Sequence, residues 1–329
     1  VLGILVAVIV GAWAALGQQV VDQSGREVSL PEAVTRVASV YGVATPYFYA
    51  FGAADLLVGA RYLGLPDSPV GVSVMRRIDP NFELKAFPGE VGLETILALQ
   101  ANLVLLGPRH RELGAQLGDV GIASVVYAPE TPQLIKEAIF LTGKLLGRED
   151  HARELWAFWE TILQAAQKTA EALVLEARPR VMFVGTNPLR VPGKEMYQTH
   201  LIALAGGTSV SRELPGSWQN VSPEQILLWD PEVIVIAPYG PVQPETFASD
   251  PVFSSVTAVR TGRVFKMPQI LFSWDTPIPE SALGILWLAE LHHPGRIGLD
   301  LVEMISTFYR GFYGVDLAEE EVNVVRRFP

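Results

Sequence analysis

The chain has 329 residues, 49% of them hydrophobic and 18% charged, with a formal net charge of -10 and no cysteine. That length supports two domains with their own cores, and that composition is globular rather than disordered. The acidic balance argues against a general nucleic-acid binder, and the missing cysteines remove disulfides, thiolate metal sites, a cysteine nucleophile and lipid attachment through sulfur.

Val1 to Leu16 is an uncharged apolar run, and Ala14-Ala15-Leu16-Gly17 ahead of Gln18 has the small side chains of a cleavage site. Residues 1–19 are expected to be a secretory signal. At roughly 17 residues the run is at the short limit for crossing a bilayer, so an uncleaved anchor is the alternative, and in either case the rest is exported. Two short alternating runs meeting at Ser24-Gly25 predict a hairpin. Strands are then predicted at Arg36 to Val40, Leu57 to Ala60, Asn102 to Leu106 and Ala123 to Tyr127. Helices are predicted from Thr45-Pro46 to Phe51, Leu93 to Leu99, Arg111 to Val120 and Pro132 to Leu146. Arg61 to Gly89, punctuated by prolines, reads as a long functional or partly helical loop. Alternation of strand and helix predicts a mainly parallel sheet.

From Gly147 to Arg178 there is no internal glycine or proline, and Ala152, Leu155, Trp156, Trp159, Ile162, Ala166, Ala170 and Leu173 recur at helical spacing. One helix of about 29 residues would span roughly 43 Å. Beyond it the alternation resumes: strands at Arg180 to Gly185, Val233 to Ala237 and Arg263 to Met267, and helices at Tyr197 to Ala205, Pro223 to Trp229, Phe253 to Val256, Pro279 to Leu291 and Leu299 to Tyr313. The reading is α/β, with two Rossmann-like lobes joined by one long helix: an N-terminal lobe (20–147), a connecting helix (148–178) and a C-terminal lobe (179–329). The unit Leu93-Glu94-Thr95-Ile96-Leu97 with strand Leu103 to Leu106 has a counterpart in Pro223-Glu224-Gln225-Ile226-Leu227 with strand Val233 to Ile236.

Dinucleotide, P-loop, hydrolase-elbow and zinc-peptidase motifs are absent. Of the five histidines only His110 lies past the carboxyl end of a predicted strand, so no bare-metal site assembles from them. His292-His293 are expected to be dipole partners at a helix end. Ligands of open α/β sheets sit outside the strand carboxyl ends. Reading those ends gives Tyr41, Tyr47, Arg109 and His110 in the first lobe and Arg190, Tyr239 and Trp274 in the second. Guanidinium forks suit carboxylate, phosphate or metal-oxyanion groups, and aromatic faces suit a large organic ligand. Singly, each such residue is more commonly core or solvated surface; the set carries the reading.

Several stretches together resemble the substrate-binding proteins of ABC importers for iron complexes, cobalamin, haem and molybdate, the periplasmic group with a helical backbone. They are Asp22-Gln23-Ser24-Gly25-Arg26-Glu27-Val28, Phe51-Gly52-Ala53-Ala54-Asp55-Leu56-Leu57-Val58-Gly59, Leu204-Ala205-Gly206-Gly207, Val221-Ser222-Pro223-Glu224 and the tail Phe308-Tyr309 with Phe312-Tyr313. The resemblance implies a non-enzymatic carrier in the periplasm that binds cargo between the lobes and delivers it to a permease dimer with ATPase subunits. It also implies that Glu94 and Glu224 pair with arginines of that permease. No resident cofactor is implied; the expected cargo is a metal chelate of the ferric siderophore or cobalamin class, with molybdate or tungstate as the alternative. An exported α/β enzyme is the reading from another class, and it would need Asp275 and His110 as its acid-base pair.

Overall fold

The computed structural model describes residues 18–62, 69–172 and 177–325. The expected signal lies outside the described residues up to position 17, as does Leu173. Among the described residues no helix is long and apolar enough to cross a membrane.

The hairpin forms as β1 (Gln19–Val21) and β2 (Glu27–Ser29), antiparallel and turning at Gly25 with φ 82°. Its sequence is explained by its bonds. Asp22 Oδ1 accepts from the Ser24 and Arg26 amides, and Oδ2 from the Val126 amide at 3.1 Å. Gln23 Oε1 accepts from the Ala128 amide at 2.8 Å, fastening the hairpin to the lobe edge.

The N-terminal lobe continues as β3 (Val37–Ser39), α1 (Thr45–Ala50), β4 (Leu57–Ala60), α2 (Pro69–Ile78), α3 (Phe82–Lys85), α4 (Leu93–Ala98), β5 (Leu103–Leu106), α5 (Arg111–Asp119), β6 (Ala123–Val126) and α6 (Pro132–Leu146). The proline-rich stretch thus carries two helices. Its sheet is wholly parallel, in the order β4-β3-β5-β6.

The connector is α7 (Glu149–Glu171), one unbroken helix of 23 residues, or about 35 Å at 1.5 Å per residue. It ends earlier than the spacing predicts, with Ala172 as its cap and the Arg178 guanidinium donating to the Ala170 carbonyl at 3.2 Å. Ala152, Leu155, Phe158, Trp159, Ile162, Ala166 and Ala170 are buried along one stripe, whereas Trp156 is half-buried and stacks on Trp159 with ring centroids 6.1 Å apart. The rod is bonded to both lobes: His151 Nε2 meets the Ala50 carbonyl at 2.7 Å, and Trp159 Nε1 donates to the Pro279 carbonyl at 2.9 Å.

The C-terminal lobe comprises β7 (Arg180–Val184), β8 (Arg190–Pro192), α8 (Tyr197–Leu204), β9 (Thr208–Ser209), β10 (Trp218–Asn220), α9 (Pro223–Trp229), β11 (Val233–Ile236), α10 (Pro244–Ala248), α11 (Thr257–Arg260), β12 (Val264–Lys266), α12 (Ser281–His292) and α13 (Leu301–Phe308). The helix expected from Leu299 to Tyr313 does not run straight, and a short helix, α14 (Glu319–Val322), follows it. α13 passes into a wider π-helical turn over Tyr309–Tyr313 that brings the Tyr309 and Tyr313 hydroxyls to the Glu280 carboxylate. The parallel sheet has the order β12-β11-β7-β9. Ranked within its own lobe, each sheet reads 2-1-3-4, so the two lobes share one topology. The likeness extends to a rare backbone. Gln100 (φ 51°) and Asp230 (φ 40°) are the non-glycine residues at positive φ among those described, and each follows the helix that precedes its lobe's third strand. A non-glycine residue in that region costs on the order of 1–2 kcal/mol. Asp230 offsets it by accepting from the Thr257 amide and hydroxyl at 2.7 and 2.9 Å.

The lobes are not cleanly separate. One apolar cluster runs from Val37 and Leu105 through Trp159 to Phe183, Trp287 and Tyr309, so they share a core around α7 and α12. His292 and His293 belong to that packing rather than to a helix dipole. Their rings bond the Ala205 and Gly206 carbonyls at 2.9 and 3.1 Å, and burial drives His292 down to about 3, leaving it uncharged. The Gly206-Gly207 pair is what admits them: a Cβ at either position would stand 2.8 Å from His293 or 2.6 Å from His292.

Candidate functional site

In a 2-1-3-4 sheet the first and third strands are neighbours whose onward connections leave in opposite directions, and the crevice opens at their carboxyl ends. Those ends are Tyr41 and Gly107–His110 in the N-terminal lobe, and Gly185–Thr186 and Tyr239 in the C-terminal lobe. Both lobes use a glycine there to seat an aromatic ring. A Cβ on Gly107 would lie 2.6 Å from the Tyr41 ring, and one on Gly185 would lie 2.9 Å from the Trp218 ring.

On the C-terminal side, β8 and β10 form an antiparallel pair absent from the sequence reading, and it delivers both Arg190 and Trp218. The Arg190 guanidinium stands 5.7 Å from the Trp218 ring centroid, a cation over an aromatic face. With Gly185, Thr186 and Tyr239 these residues line a cavity of about 150 Å³. Arg190 is exposed and makes no ion pair among the described residues. The same holds for Arg109 on the opposing lobe. Beside Arg109, His110 Nδ1 accepts from the Gly107 amide at 3.0 Å, which places the neutral ring's proton on Nε2, and its ring meets Tyr41 edge-on at 6.3 Å. Burial pushes the Tyr41 hydroxyl well up, Glu130 adds to the rise, and Arg109 opposes it.

Glu130 escaped the sequence reading. It belongs to the first lobe, yet its Oε2 accepts from the Tyr197 amide at the start of α8 at 3.2 Å, so it ties the lobes together across the crevice. Burial raises its carboxyl above the ordinary value, against the lowering effect of that bond.

Tyr239 is anchored from behind. Its hydroxyl donates to Asp275 Oδ2 at 2.9 Å, and Gln198 Nε2 donates to the same oxygen at 3.3 Å. Asp275 is fully buried, burial pushes it up to about 6, and neither its Oδ1 nor Gln198 Oε1 has a hydrogen-bond partner among the described residues.

The structure places two expected cleft residues elsewhere. Tyr47 is fully buried and donates to the Pro277 carbonyl at 3.0 Å; Trp274 is fully buried and donates to Glu280 Oε1 at 2.8 Å. Both are packing residues of the shared core, since a side chain with no exposed surface presents nothing to a solute. Nor are His110 and Asp275 brought together: each is bonded within its own lobe. Among the described residues no cluster of three metal-ligating side chains occurs. A larger groove of about 930 Å³ lies at the opposite, amino end of the C-terminal sheet, between Arg180, Thr208 and Glu232, where Arg180 pairs with Glu232 and Arg212 with Glu213.

Glu94 and Glu224 occupy the first turns of α4 and α9, exposed and outside any ion pair among the described residues. A hydrogen bond with the Ser222 side chain holds the Glu224 carboxyl below its ordinary value.

The chain is similar to several known proteins. The periplasmic binding protein family matches residues 70–271, more than half of the chain. The molybdate-binding protein MolA of Haemophilus influenzae is 25% identical over 335 residues, covering 92% of this chain and 93% of that one. A vitamin B12-binding protein of Photorhabdus laumondii is 26% identical over 212 residues, covering 64% of this chain and 73% of its own. The crystal structure of a periplasmic solute binding protein from Veillonella parvula superposes with a TM-score of 0.79 at 25% identity, covering 94% of this chain and 96% of that one. Two like lobes on a single helical rod, with the family match running over residues 70–271, make this chain a member of the periplasmic binding protein family, in its class III group.

Proposed function

We propose that the chain captures a small oxyanion of the molybdate or tungstate class between its lobes and hands it to a permease dimer with its ATPase subunits. The observation that carries this reading is the pair of exposed arginines, Arg109 and Arg190, one near the switch point of each lobe and neither in an ion pair among the described residues. A guanidinium with no carboxylate partner keeps its donors for an incoming anion. The C-terminal wall between Gly185, Arg190 and Trp218 holds a recess of about 150 Å³, beside the exposed Arg190 guanidinium. The aromatics that favoured a bulky chelate also thin out, because Tyr47 and Trp274 are core. MolA, named for molybdate, aligns along nearly the whole chain. The ferric siderophore or cobalamin reading keeps the same cleft and draws support from the vitamin B12-binding relatives. Carriage without chemistry fits a crevice in which His110 and Asp275 are apart. Glu94 and Glu224 are the residues proposed to meet cations of the permease, and the working compartment is the periplasm.

The test is tungstate affinity by calorimetry in Arg109→Ala and Arg190→Ala. A hydrogen bond to a charged group contributes about 1.5–3 kcal/mol, so each variant should bind about 10- to 100-fold more weakly. Unchanged affinity in both would refute the assignment.

A further inference from the structure

The two acids proposed to meet the permease do not stand alone. α4 and α9 precede the third strand of their lobes, and each is followed by a residue at positive φ, Gln100 or Asp230. In each the residue two after the acid, Ile96 or Ile226, is fully buried, which fixes the helix's rotation. The residue three after the acid is then forced outward on the acid's own face. It is a leucine both times: Leu97 is 48% exposed and Leu227 37% exposed. A lone exposed leucine on a surface is ordinary. Exposed leucines at matching positions of two lobes, each one turn from an acid in no ion pair among the described residues, are a repeated pattern outside the apolar clusters of either lobe.

We propose that each lobe docks through an acid–leucine pair, Glu94 with Leu97 and Glu224 with Leu227, and that the partner offers on each half of a two-fold arrangement a cation beside an apolar socket. The inference rests on the docking role proposed above for the acids and adds what sits next to each cation. The partner's chemistry follows from the two lobes: two like surfaces, each negative and apolar, are matched by a dimer presenting the same positive and apolar patch twice. Desolvation of the leucine surrounds the ion pair with apolar contact, excludes water from it and so strengthens it.

The experiment measures binding of the cargo-loaded protein to the permease–ATPase importer whose ATPase it stimulates, held in lipid nanodiscs. The variants are Leu97→Ser, Leu227→Ser, both together, Glu94→Gln with Glu224→Gln, and Val21→Ser as a control at an exposed apolar position on the hairpin. Each single leucine variant should weaken binding by about tenfold and the double variant by more, with cargo affinity unchanged because neither leucine lies in the crevice. Val21→Ser should bind as the wild type does. Loss of binding in the glutamine variant with wild-type binding in both leucine variants would overturn the pairing and leave the acids' role standing. Wild-type binding in all variants would overturn both, and equal loss in Val21→Ser would reduce the effect to general stickiness and overturn the pairing.

Discussion

Asp275→Asn isolates the charge beneath the cleft wall. Asp275 is fully buried, and burial lifts its carboxyl from 3.8 to about 6 even though Tyr239 and Gln198 both donate to it. A folded-state value above the unfolded one means that the native protein holds the proton more tightly. The group's contribution to stability is therefore complete below about pH 3.8 and is lost as pH rises through about 6. Two pH units at 1.36 kcal/mol each give a loss of about 3 kcal/mol by pH 7.5. Asparagine keeps an acceptor for the Tyr239 hydroxyl and removes the charge. The assay is urea unfolding of both proteins from pH 4 to pH 8, taking the difference between them at each pH, so that titrations common to both cancel. The variant should gain about 2.5 kcal/mol on the wild type between pH 4 and pH 7.5, since part of the loss has already occurred by pH 4. Parallel pH profiles would show that Asp275 ionises as freely when folded as when unfolded and would refute the reasoning.

His292 works in the opposite direction. Its folded value of about 3 lies below the ordinary 6.5, so stability present above pH 6.5 is lost as pH falls from there toward 3, and His292→Asn should flatten that acid limb in the same unfolding series. Glu280→Leu should cost about 4 kcal/mol or more in unfolding free energy, because the Trp274, Tyr309 and Tyr313 donors lose their buried acceptor. Tyr47→Phe removes one bond to the Pro277 carbonyl and should cost about 1 kcal/mol of stability while cargo affinity, read by calorimetry, stays as in the wild type.

Much of the architecture was legible because it rests on local signals. The absence of glycine and proline between 148 and 178 is a property of the chain itself, and it does form one helix, shortened only where Ala172 and Arg178 close its end. The buried strands announced themselves as unbroken β-branched and leucine runs such as Val233 to Ile236. What stayed hidden depends on distant partners. Arg190-Val191-Pro192 and Trp218-Gln219-Asn220 carry no alternation, and Gly193 beside them lets the facing backbone come close: a Cβ there would meet the Gly216 carbonyl oxygen at 2.4 Å. Trp218 could have been flagged only by knowing that Gly185, far earlier in the chain, leaves room for it. Tyr47 and Trp274 follow strand ends as a ligand-binding aromatic would, and what buries them is the core shared between lobes, which no single segment encodes. Glu130 stands between two prolines, and its partner, the Tyr197 amide, comes from the opposing lobe, so no local pattern marks it.

The central claim is that two exposed arginines grip one small anion between the lobes. Calorimetric titration of the purified wild type with molybdate, followed by the same titration after saturation with ferric hydroxamate or cyanocobalamin, tests it most directly. The account predicts one molybdate per chain in both titrations, with no heat from either chelate alone. Tight binding of a chelate together with silence toward molybdate and tungstate would contradict it.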